Sequence, residues 1–134
     1  MSTTYRDIRD AVIKRLKDNW SATAIHWPGT KSKPPAAAWI QPRIVWGPAA
    51  QAALGQAAPT RITGLLHTNV FTQIGQADDE AMDYVDSLRD LFPRDLRLAA
   101  GTKSLIFETP RAAPALEDED WHQVPVLAPF YIDA

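Results

Sequence analysis

The chain has 134 residues, of which 46% are hydrophobic and 22% charged, and a formal net charge of −2. That length suits one domain with one sizeable core, and the near-neutral balance argues against a polyanion-binding surface spread over the protein. With no cysteine, disulfides and thiolate metal sites are excluded, which fits a reducing compartment. The polar opening MSTTYRDIRD predicts no secretory leader. No apolar run approaches the roughly 20 residues of a membrane span, so the expectation is a soluble protein made in a cytosol.

In chain order, residues 4–20 read as a helix. Thr4 suits the N-cap, with Asp7 three positions on as in a capping box. Ile8, Val12 and Leu16, with Tyr5 and Ile13, form its apolar stripe, and Trp20 ends it. AIHW is a short strand stopped by Pro28, and GTKSKPPAAA is a loop. WIQPRIVW is a strand with Ile40, Ile44 and Trp46 on one parity; Pro42 shares that parity and marks an edge or a bulge. GPAAQAALGQAAP is uncharged, long for a hairpin connection and expected to project toward a neighbour, with Leu54 near its middle.

TRITGLLHTNVFT is the next strand, with Ile62, Leu66 and Val70 in phase. A second helix spans 78–92, where Ala81, Val85, Leu88 and Phe92 recur at helical spacing. Asp78, Asp79 and Glu80 suit its positive N-terminus, and Pro93 stops it. RDLRLAAGTKSLIFE gives short strands, and TPRAAPALEDED reads as a loop.

The closing WHQVPVLAPFYIDA is a strand with two internal prolines. Val124, Val126, Ala128, Phe130 and Ile132 share the core parity, while Trp121, Leu127 and Tyr131 fall on the other face. Pro125 and Pro129 remove two donors from one lateral side, which predicts an edge or a bulge. The order of elements predicts an α+β fold: an antiparallel or mixed β-sheet with two helices packed on one face, in a single domain over 1–134.

Motifs for chemistry are sparse. His26, His67 and His122 lack metal-ligand spacing and read as partly buried or surface histidines. GTKS at 29–32 and at 101–104 lacks the helix and the Gly-Lys step of a phosphate loop, and both copies read as turns. The expectation is no catalytic, cofactor or metal site. Glu117, Asp118, Glu119 and Asp120 form an acidic run. Adjacent acids in a loop are usually solvated; a functional reading is electrostatic, toward basic partners or away from DNA. Trp39 and Trp121 are off the core parity, which means either cover within the subunit or an intersubunit contact.

Taken together, YRDIRDAVIKRL, HWPGTKSKPP with WI, TRITGLLHTNVFT, ADDEAMDYVDSLRDLFP and WHQVPVLAPFYID resemble the phage tail terminator and tail completion family of the lambda-type minor tail protein U kind. The likeness spans nearly the whole chain, while the apolar 47–59 segment and the 112–120 loop depart from it. It implies a structural virion protein: a ring, typically of six copies, on the head-proximal end of the tail, assembled in the host cytoplasm. Its implied partners are itself, the tail-tube protein and a head–tail connector or stopper protein. DNA would pass through the lumen without specific binding, and no membrane is involved. The resemblance makes Trp39, Leu54, Trp121, Leu127 and Tyr131 candidate interface residues, and Glu117, Asp118, Glu119 and Asp120 candidates for the lumen. The alternatives are a head–tail connector or tail-tube subunit and, from another class, a small-molecule-binding α+β domain.

Overall fold

The computed structural model describes residues 3–29, 37–51, 54–55, 58–75, 78–118 and 120–134. Its elements are α1 (Tyr5–Asn19), β1 (Ala24–Ile25), β2 (Trp39–Gln51), β3 (Thr60–Gln73), α2 (Asp79–Leu91), β4 (Arg97–Ala100), β5 (Lys103–Phe107), β6 (Arg111–Ala112), β7 (Leu116–Glu117) and β8 (Trp121–Asp133). The strands form one sheet in the order β1-β2-β3-β8-β5-β4, with β6 and β7 also paired to β8. β1 runs parallel to β2 and the other pairings are antiparallel, so the α+β fold carries a mixed sheet, curled as a half-barrel.

Local chemistry sets the helix ends. The Thr4 hydroxyl accepts the Asp7 amide at 3.2 Å, and the Asp7 carboxylate accepts the Thr4 amide at 3.0 Å. This capping box satisfies two donors that a helix start otherwise leaves open. The Trp20 amide closes α1 on the Leu16 carbonyl. Both helices send their stripes into one apolar cluster. Ile8, Val12 and Leu16 of α1 meet Ala81, Val85 and Leu88 of α2 there, together with Ile62, Leu66 and Val70 of β3 and the even-numbered apolar residues of β8. The parity expected for β8 holds, since Val124, Val126, Ala128, Phe130 and Ile132 are all at most 3% exposed. Trp46, expected on the core parity, lies instead at the rim and is 40% exposed. It sits edge-on to Phe130 and Tyr5.

β8 is not an edge strand. It pairs with β3 from Arg61↔Asp133 to Gln73↔Trp121, and on its other side with β5, β6 and β7. The prolines explain why that second side is broken into short pieces. The Pro129 carbonyl accepts the Glu108 amide and the Pro125 carbonyl accepts the Ala113 amide, so both residues face that side. Neither has an N–H to return, and a continuous ladder cannot form there. The segment 109–120, read as a loop, therefore supplies two two-residue strands, each too short to leave a periodic signal.

The β2–β3 hairpin also differs from expectation. Pairing shifts by one residue between Trp46 and Ala49 and then resumes to Gln51↔Thr60, so the first part of the 47–59 segment is strand beyond a bulge. The Thr63 hydroxyl donates to the Pro48 carbonyl at the bulge. Leu54, past the strand ends, is 99% exposed. Pro42 behaves as expected of an edge. The His26 backbone amide donates to the Ile40 carbonyl, so the backbone groups of the even residues of β2 turn toward β1. β1 ends after two residues, which leaves the rest of that side of β2 without a strand partner among the described residues. The second GTKS copy is the tight turn joining β4 to β5, with Gly101 at φ +65. Of the first copy, residues 30–32 lie outside the described residues.

Candidate functional site

Three kinds of feature are placed by this frame: an aromatic cluster on the second sheet face, an acidic corner, and an apolar groove. The aromatic cluster follows from register. Trp39 pairs with Phe71, and Phe71 with Gln123, next to Trp121 on β8. All these positions are odd-numbered, so their side chains share the face opposite the main core. Trp39 stacks on Phe71 with ring centroids 3.8 Å apart and planes 3° from parallel. Trp121 meets both rings edge-on, and His26 meets Trp39 the same way. Trp39 is 4% exposed. Leu127 is also buried, in register with His67 on one side and Arg111 on the other. Burial first, and then the nearby Arg43 guanidinium, push the His67 ring below its ordinary value. Tyr131 lies under the Arg61 guanidinium at 4.6 Å, and Arg61 makes a forked pair with Asp133.

The acidic run is more ordered than a solvated loop. Asp118 Oδ1 accepts the amides of Asp120 and Trp121 at 2.8 and 2.7 Å, and its other oxygen accepts Gln123 Nε2. These hydrogen bonds hold the Asp118 carboxyl below the usual aspartate value, the two backbone amides contributing most. His122 has its two ring nitrogens at 3.1 Å from Glu117 and 2.9 Å from Asp78, tying β7 to the start of α2. Glu119 lies outside the described residues. A group with a depressed folded pKa contributes stability above its unfolded value and loses it as pH falls through the folded one. The Trp121 amide resonance should therefore titrate in acid with a midpoint below the ordinary aspartate value of about 3.9. A midpoint at or above that value would show that the Asp118 hydrogen bonds do not persist in solution.

The groove lies between α1 and the side of β2 that has no further strand partner among the described residues. Its volume is about 430 Å³, and Val12, Ile13, Leu16, Trp27, Ile44 and Trp46 are among its walls. Arg9 and Lys17 stand on the α1 side, and the Lys17 ammonium lies 5.6 Å from the Trp27 ring centroid. Beside the groove, Tyr5 and Trp46 pack edge-on with centroids 4.6 Å apart, and both are more than a third exposed.

The structure thus brings Trp39 and Trp121 together within one subunit and leaves Leu54 in solvent. Leu127 and Tyr131 lie on the face opposite the core, as strand parity predicts. The groove was not legible from sequence, because it joins two elements far apart in the chain. Phe71 was missed as the centre of the aromatic cluster, though its odd parity beside Val70 carried the signal. Among the described residues, no three His, Asp or Glu side chains form a metal-sized cluster, and no helix is long and apolar enough to cross a membrane.

Six chains of solved structures match this one. One of them superposes with a TM-score of 0.78 over 99% of this chain and 98% of its own, at 22% sequence identity, which is a likeness of fold. No curated protein sequence matches. The family model for phage tail terminator proteins matches residues 7–130.

Proposed function

The chain belongs to the phage tail terminator family, and from that premise we propose that it is the subunit of a closed ring, of six copies, capping the head-proximal end of a tail tube. The family match over most of the chain carries the reading. The ring ends polymerisation of the tube and offers its outer surface to a head–tail connector or stopper protein, and DNA crosses the lumen without specific binding. Each subunit is one domain with both helices on one face of the sheet, and the role is architectural rather than catalytic. It is built in the host cytoplasm and kept in the virion.

Two features support a ring subunit. Large apolar side chains remain exposed at several places: Tyr5, Val45 and Trp46 at or beside β2, Leu116 on β7, and Leu54 at the hairpin tip. Where such groups are contiguous, as Tyr5 and Trp46 are with the apolar groove walls, they mark a contact surface. The β1 side of β2 and the β6–β7 side of β8 also differ in sequence and shape. A contact between unlike surfaces of identical copies is heterologous, and it closes into a ring when the rotation per copy closes. In this reading Leu54 and Tyr131 reach neighbouring chains, while Trp39, Trp121 and Leu127 hold the contacting face rigid from beneath.

Removing the protein from its parent phage is the test. The expected particles are tails of uncontrolled length with no heads joined to them. Tails of normal length attached to heads would overturn the proposal.

A further inference from the structure

We propose that successive copies join through one particular pair of surfaces: the groove between α1 and β2 of one copy receives the acidic corner around Leu116 of the next. The inference rests on the ring reading above and specifies its lateral contact. Leu116 is an apolar side chain 62% exposed on a two-residue strand. It is followed by Glu117 and Asp118, and Asp120 lies at the same corner. The Asp118 hydrogen bonds and the His122 bridge to Asp78 hold this corner in shape, so little ordering remains to be done on binding.

The receiving surface has the complementary character. The groove walls are apolar, and α1 presents Arg9, Ile13 and Lys17 four residues apart along one row. That row sets an apolar side chain between two cations, matching an apolar knob flanked by carboxylates. Among the described residues, Arg9 pairs with its neighbour Asp10, both 54% exposed. Such a pair contributes little, so Arg9 is available to an incoming carboxylate. The two surfaces lie on opposite sides of β3, the groove at β2 and Leu116 on β7, which pairs with the far side of β8. One copy can therefore use both at once, as every member of a ring must. Opposite charges facing each other also disfavour the reversed, like-to-like pairing.

The absence of cysteine gives a clean test in assembled particles. Particles carrying Ile13→Cys together with Leu116→Cys are treated with a short bis-maleimide. The expected product is a ladder of covalent multimers of this chain ending at the ring size, whereas either single variant yields only monomer and dimer. Ile44→Cys with Leu116→Cys repeats the test from the opposite groove wall. Rings present in particles but giving no ladder with either pair would overturn this contact and leave the ring reading standing. Micrographs without a symmetric layer of this chain would instead overturn the ring reading. Glu117→Gln with Asp120→Asn separates contact from lumen. Reduced ring formation is expected; normal rings with impaired DNA passage would assign these acids to the lumen and overturn the contact.

Discussion

Gly64→Ala should lower the stability of the subunit by about 3 kcal/mol, near the upper end of overpacking costs, and its melting temperature by roughly 10 °C. Gly64 on β3 is directly opposite Phe130 on β8, and the Phe130 ring lies across the glycine. A Cβ at residue 64 would fall 2.4 Å from the ring tip and 2.8 Å from the adjoining ring carbon. The far end of a flexible side chain could move aside, but this ring cannot. Phe130 is 1% exposed and is wedged between Phe107 at 5.6 Å and Trp46 at 6.3 Å. Rotating it would disturb β3 and β8, the two longest-paired strands of the sheet. Phe130→Leu in the Gly64→Ala background should recover part of the loss, because the smaller side chain vacates the space. Thermal unfolding of the two variants checks both statements. A Gly64→Ala protein melting within about 2 °C of the parent would show that the ring has room to move.

Trp39→Ala should cost about 3–5 kcal/mol in the isolated subunit, the usual cost of truncating a buried aromatic residue. Trp39 loses a stacked partner in Phe71 and an edge contact with Trp121, and the second sheet face loses its largest ring cluster. Against a total folding stability of about 5–15 kcal/mol, that loss should be visible before any assembly takes place. Leu54→Asp is the contrast. Its side chain is almost fully exposed, so unfolding should change by no more than about 0.5 kcal/mol, while joining of heads to tails fails. Denaturant unfolding of the purified subunits separates the two classes. A Trp39→Ala subunit of parental stability that still fails to assemble would make Trp39 a contact residue rather than a support.

Several parts of this molecule follow from local chemistry and were legible in the chain. The partners of the Thr4–Asp7 capping box are three positions apart, so they are adjacent whatever the rest of the fold does. The stripes Ile8–Val12–Leu16 and Ala81–Val85–Leu88 follow from the helical period, and the core face of β8 from the two-residue period of a strand. The resemblance to tail terminators was legible too, because it is spread over the order and character of these same elements.

What lies beside an element is different, because it depends on residues far away in the chain. Pro125 and Pro129 stated which lateral side of β8 lacks donors. Only tertiary structure decided that β5, β6 and β7 take that side in short pieces instead of leaving it open, since pairing requires the 103–117 segment to fold back along it. Trp46 has the parity of a core residue, but the sheet ends its cover there, and a one-residue bulge at Gly47–Pro48 reverses the faces beyond it. Trp39, Phe71 and Trp121 are each off the core parity, and their becoming one cluster required the β2–β3–β8 register, which no local period encodes. The same holds for the groove: α1 and β2 each display their half of it in the sequence, but a groove exists only once the core has drawn the two together.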